Sequence, residues 1–138
     1  MPVRLTFRLD FAPDQRLGHG KVSLLEAVGR SGSIAAAGRE FGMSYRRAWL
    51  LVDDMNRMFE QRVVEAHGGG RNGGGAVLTE TGETVIALYR TAERKIRESA
   101  AEEIAALEDA LTAAPAISDG PDNDRAQNSR RLPQKDPA

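Results

Sequence analysis

Residues 33–60 read SIAAAGREFGMSYRRAWLLVDDMNRMFE, and the order of caps and apolar positions within them decides the fold. Ser33 stands directly before an apolar-periodic run. A serine there is a strong helix N-cap, because its side-chain oxygen accepts a first-turn N–H. Ile34, Ala37, Gly38 and Phe41 follow the i, i+3, i+4, i+7 spacing, which predicts a short helix with one buried face. The small residues Ala35, Ala36, Ala37 and Gly38 let another helix approach closely. Gly42 suits the left-handed residue that ends a helix. Ser44 then caps a further helix to about residue 60, with Ala48, Val52, Met55 and Phe59 as its core stripe. Arg46, Arg47, Leu50, Asp53 and Arg57 point elsewhere. A short helix, a glycine turn and a second helix opening on Tyr45-Arg46-Arg47 form a helix-turn-helix pattern.

The flanks fit around this pair. Upstream, Val22, Leu25 and Val28 predict a first helix over about 21–28, ended by residues 29–32. Residues 3–11 alternate strictly, with Val3, Leu5, Phe7, Leu9 and Phe11 on one face and charged or polar residues on the other. That predicts one half-buried edge strand. Residues 12–20, with Pro13, Gly18 and Gly20, read as a connector. Downstream, the β-prone runs 63–66 and 76–78 flank GGGRNGGG at 68–75, which reads as a hairpin wing.

Thr79 caps a last helix, with Glu80 and Glu83 at its positive end. Tyr89, Ala92, Ile96, Ala100, Ile104, Leu107 and Leu111 form one stripe at a mean spacing of about 3.7 residues. This is the eleven-residue period of a nearly straight helix. A stripe on so long a helix predicts packing against a second copy, hence a homodimer interface. Pro115 stops the helix, and the proline- and aspartate-rich remainder buries too little apolar surface to order itself. The fold class is mainly α with a small β-hairpin wing. A winged helix-turn-helix spans residues 1–79, a dimerisation helix 80–112 and a disordered tail 113–138.

Charge is segregated. The formal net charge is −1, yet residues 1–97 carry 15 Lys and Arg against 11 Asp and Glu, and residues 98–138 carry 4 against 9. The basic half is the half expected to fold, as a nucleic-acid partner requires. Several classes drop out. Cysteine is absent, so there are no disulfides and no thiolate metal site. His19 and His67 have no second ligand at metal spacing and read as surface residues. No run of about 18 apolar residues is present, so no membrane span is expected. The charged, alternating N-terminus is unlike a signal peptide, which points to the cytoplasm. No Gly-Lys-Ser/Thr follows the glycines, against a nucleotide phosphate loop. Asp53-Asp54 and Glu102-Glu103 are adjacent pairs whose side chains diverge on a helix, so no acid/base pair forms. The sequence calls for no enzyme activity, metal or cofactor.

The chemistry left is recognition of double-stranded DNA. The first turn of a recognition helix enters the major groove, and arginine bonds guanine O6 and N7 with two parallel hydrogen bonds. Arg46 and Arg47 take that role. Ser33, Ser44 and the free N–H groups at the helix starts suit phosphate oxygens. Tyr45 completes the opening turn. Trp49 reads as a core or core-edge residue whose indole N–H still reaches a phosphate. Arg71 and Asn72 occupy the wing tip, with Arg71 along the minor groove.

The stretch SGSIAAAGREFGMSYRRAW, with Met55-Asn56, GGGRNGGGAVLTETG and Leu88-Tyr89, resembles the N-terminal domain of the ModE family over about residues 20–100. These are molybdate-responsive bacterial transcription regulators with a LysR-type winged-helix DNA-binding domain. The resemblance implies a homodimer held partly by the helix after the wing, with residues 44–47 opening the recognition helix. Family members carry C-terminal oxyanion-binding domains, and residues 113–138 are too few to build one. The expectation is a ModE-like regulator without its own molybdate-sensing domain, connected to molybdenum-related genes. The alternative is an interaction module that forms mixed dimers with a full-length ModE-type regulator.

Overall fold

A computed structural model describes residues 3–68 and 75–112. The described chain is mainly helical, with two small antiparallel hairpins. The expected tail at 113–138 and the wing-tip residues Arg71 and Asn72 lie outside the described residues.

The N-terminal segment departs from expectation. The strand is β1 (Arg8–Ala12), shorter than 3–11, and the expected connector contains a second strand, β2 (Gln15–Gly18). They pair antiparallel with Leu9 opposite Leu17 and Asp10 opposite Arg16. Pro13 and Asp14 form the turn between them, proline supplying the fixed φ of a turn's second residue. Leu17 is buried and Phe7 packs on the core, whereas Leu9 and Phe11 are exposed. The apolar face is therefore covered only at its Phe7 end, where the ribbon meets the body.

Helix α1 (His19–Ser31) runs longer than predicted at both ends and supplies the centre of the core through Val22, Leu24, Leu25, Ala27 and Val28. It ends at Gly32, whose φ of 72° is left-handed and whose N–H bonds the Val28 carbonyl at 2.8 Å. Gly29 is inside the helix; a Cβ there would lie 2.8 Å from Leu78 Cδ1, so glycine lets α1 sit close to a later strand. Helix α2 (Ile34–Glu40) and helix α3 (Tyr45–Met58) follow, linked through Gly42 with φ 71°. A Cβ on Gly38 would fall 2.9 Å from the Ala48 methyl, so the α2 backbone packs directly on that methyl of α3. Ala48, Val52 and Met55 are buried as the stripe predicts, and Phe59 packs partly buried just past the helix end.

Strands β3 (Val64–Ala66) and β4 (Ala76–Leu78) pair antiparallel with Val64 opposite Leu78. Helix α4 (Glu80–Ser99) follows. The helix predicted to run unbroken to about residue 111 is interrupted at Ala100 (φ −106°, ψ 17°) and resumes as α5 (Ala101–Asp109). Ser99 is a weak helix former, and no residue of α5 is buried, so no tertiary packing holds this turn regular. The first half of α4 belongs to the body. Val85 and Tyr89 are in the core, so residue 79 is not the edge of the folded unit.

Candidate nucleic-acid interface

Both serine caps form. Ser33 Oγ accepts from Ala36 N at 3.0 Å, and Ser44 Oγ accepts from Arg47 N at 3.1 Å. Each cap fixes where its helix begins, and so which side chains occupy the first turn. On α3, Tyr45, Arg46, Trp49 and Leu50 are exposed, while Arg47 is half-buried. Trp49, expected in the core or at its edge, is 44% exposed and sits at the edge. Residues 48, 52 and 55 face the body, and position 49 is turned about a quarter-circle or more from that side. Trp49 lines a depression with Ile34, Val52, Asn56, Arg62 and Val64, at the edge between α3 and β3.

Charge along α3 is graded. Its opening carries Arg46 and Arg47, and Asp53 and Asp54 come two turns later. Asp53 pairs with Arg57 through bonds of 2.5 and 3.0 Å. Lys21 of α1 is part-buried. Burial holds its ammonium below the ordinary lysine range, and the nearby Asp54 charge opposes that shift. The basic opening of α3 has no such neutralisation for Arg46, which has no carboxylate partner among the described residues.

The β3–β4 hairpin is tied to α3 by a residue that sequence reasoning noted only within the resemblance. Asn56 Oδ1 accepts from Val63 N at 2.7 Å and Val64 N at 3.1 Å, and its Nδ2 donates to Val64 O at 3.3 Å. One side-chain amide therefore satisfies the backbone at the entry to β3. Thr79 does the same at the other strand's exit. Its hydroxyl donates to Arg62 O at 2.6 Å and accepts from Gly82 N at 3.0 Å, and its N–H bonds Val63 O. A Cβ on Gly82 would meet Val63 O at 2.2 Å, so α4 begins pressed on that carbonyl. Ala76 N–H bonds Gly32 O at 2.9 Å, anchoring β4 to the end of α1. The hairpin base is thus held at three points beside α3.

A second polar cluster couples α1 to α4. Arg90 forks onto Glu26 with two 3.0 Å bonds and reaches Glu93 at 3.0 Å and Ser23 Oγ at 3.2 Å. Its bond to Glu26 raises the guanidinium further above its ordinary value, with burial opposing. His19, expected at the surface, joins this cluster. Its Nδ1 lies 3.2 Å from Arg90 Nη1 and its Nε2 lies 3.3 Å from Ser23 Oγ. Arginine only donates, so Nδ1 is the acceptor of a hydrogen bond from Arg90. Glu93 is only 8% exposed, which its pairing with Arg90 compensates.

The expected interface stripe divides. Tyr89 leaves it as a correction: it is 3% exposed, stacked on Phe7 with ring centroids 4.5 Å apart, and its hydroxyl donates to Phe7 O at 2.5 Å. The body still covers α4 as far as Glu93. Beyond that the same face emerges bare. Ala92, just before Glu93, is half-exposed; past Glu93, Ala100 and Ile104 are half-exposed, and Ile96, Leu107 and Leu111 are exposed, the last two at 70% and 53%. Bonds from Ala100 N to Ile96 O and from Ile104 N to Ala100 O, both 2.9 Å, carry the face across the interruption. Among the described residues no helix is long and apolar enough to cross a membrane, and no cluster of His, Cys, Asp and Glu is placed to hold a metal ion.

Part of the chain is similar in sequence to known proteins. Over 88 residues the chain is 46% identical to the molybdenum-pterin-binding protein MopA of Rhodobacter capsulatus, covering 64% of this chain and 33% of that protein. It is 53% identical over 78 residues to MopB of the same organism, covering 56% of this chain and 29% of MopB. It is 44% identical over 69 residues to the DNA-binding transcriptional dual regulator ModE of Escherichia coli (strain K12), covering 50% of this chain and 26% of the regulator. The matched stretch spans about a third or less of these relatives' length. No protein-family profile matches the chain.

Proposed function

We propose that this chain is a ModE-like transcription regulator that binds double-stranded DNA as a winged helix-turn-helix, with α2 and α3 as the helix pair and β3–β4 as the base of the wing. The start of α3 enters the major groove. Arg46 reads guanine, with Arg47 beside it, and the Ser44 hydroxyl with the first N–H groups of α3 meets phosphate. The Ser33 end of α2 and the wing residues Arg71 and Asn72 contact the backbone. Tyr45 and Trp49 pack their ring edges against sugar and phosphate. Two copies pair through the face carrying Ile96, Ile104, Leu107 and Leu111, so that two recognition helices meet two half-sites.

The observation that carries this reading is the exposed opening turn of α3, with Tyr45, Arg46 and Trp49 turned outward beside a hairpin clamped at its base. The similarity to a regulator named as DNA-binding supports it. The test is selection of duplexes from a random pool by the full chain, followed by fluorescence anisotropy on the selected duplex. A shared motif should be enriched, and Arg46→Ala should lose preference for it. Absence of enrichment, with equal binding of all duplexes, would refute the reading.

The bare face beyond residue 93 also favours a second reading, in which the chain modulates a full-length ModE-type regulator by forming mixed dimers. Binding to a selected duplex only when such a regulator is added would select this alternative.

A further inference from the structure

Helix α3 has an odd residue at its solvent pole. At 100° per residue, Ala48, Val52 and Met55 mark the buried side, and the opposite line runs through Arg46, Leu50 and Arg57. Leu50 is 43% exposed on that line, between charged residues. It lines a shallow open depression with Ser44, Arg46, Arg47, Leu51 and Asp54. A leucine so placed contributes little to the core and is accessible to a contact outside the fold.

Electrostatics limits how much of α3 can meet DNA. Laid full length in a groove, the helix would set Asp53 and Asp54 among phosphates. The first two turns, residues 45–52, are free of carboxylates. Within that window Arg46 and Leu50 stand one turn apart on one face, about 6 Å along the axis. That distance spans about two base steps. Major-groove base edges offer hydrogen-bonding groups and one apolar group, the C5 methyl of thymine.

We infer that Leu50 packs on a thymine methyl one to two base steps from the guanine read by Arg46, so that it is a specificity-determining residue for a guanine–thymine element in each half-site. This rests on the DNA-binding reading above and adds the base that an apolar contact selects.

The test uses the full chain and the duplex it selects from a random pool, with each thymine replaced singly by deoxyuridine, which removes only the methyl group. One position per half-site should lose about fourfold in affinity, as for one buried methyl group. Leu50→Ala should bind the thymine duplex more weakly by a similar factor and should no longer distinguish thymine from deoxyuridine there. Leu50 is exposed, so this variant keeps the fold, and an unchanged circular dichroism spectrum checks that. If the wild type still requires the guanine read by Arg46 but no thymine is sensitive, the Leu50 assignment is overturned and DNA binding stands. Discrimination that persists in Leu50→Ala also overturns it. If no duplex is enriched, the DNA-binding reading falls as well.

Discussion

Replacing Asn56 by alanine isolates the tie between α3 and the β3–β4 hairpin. The side chain makes three bonds, and two are acceptances from the N–H groups of Val63 and Val64, residues that are 0% and 1% exposed. Alanine leaves both donors without their acceptor. Each stranded buried donor costs about 1–3 kcal/mol. The depression beside Asn56 opens toward solvent, so water can enter after truncation and relieve part of the loss. The expected cost is therefore near the lower end of the sum, about 2–3 kcal/mol. That is a large share of the about 5–15 kcal/mol typical of a small domain. Asn56→Asp keeps an acceptor for both N–H groups but sets an oxygen against the Val64 carbonyl in place of Nδ2, so it should cost less, about 1–2 kcal/mol. Urea unfolding followed by circular dichroism measures both, and the slope should stay constant while the midpoint moves. An alanine variant within about 0.5 kcal/mol of wild type, the range of an ordinary surface substitution, would refute the claim that this amide holds the hairpin.

Three further outcomes follow from named contacts. Arg46→Ala should weaken specific DNA binding by about 1–3 kcal/mol, or roughly fivefold to 150-fold, in anisotropy titrations; an unchanged affinity for the selected duplex would exclude Arg46 from readout. Ile96→Asp combined with Leu107→Asp places charge on the bare face of α4 and α5 and should convert a sedimenting pair to single chains, while an unchanged sedimentation coefficient would move the interface elsewhere. Arg90→Met strips Glu93 and Glu26 of their shared cation and should cost about 2–4 kcal/mol in thermal or urea unfolding, less than a fully buried pair because the Arg90 side chain is 26% exposed; a variant as stable as wild type would show the cluster to be dispensable.

Much of the fold is written in interactions that span four residues or fewer, and these are legible in the sequence. Ser33 and Ser44 cap helices through N–H groups three residues on, Gly32 and Gly42 take positive φ at helix ends, and Ala48, Val52 and Met55 repeat at helical spacing. The β3 and β4 runs are marked by composition on either side of the glycines. The positions of Ser44, Tyr45, Arg46 and Arg47 in one opening turn follow from the cap alone.

Other features depend on partners far along the chain, and no local pattern specifies them. Residues 15–18 become a strand only because β1 is present to pair with them. His19 leaves the surface because Arg90, 71 residues later, reaches it, and Tyr89 turns inward because Phe7, 82 residues away, offers a ring and a carbonyl. The apolar stripe on the last helix is continuous in sequence, so periodicity assigns all of it to one interface. The structure divides it at about residue 93, where the body ends. Periodicity reports which side of a helix is apolar, but what covers that side is set by how far the rest of the chain extends in space.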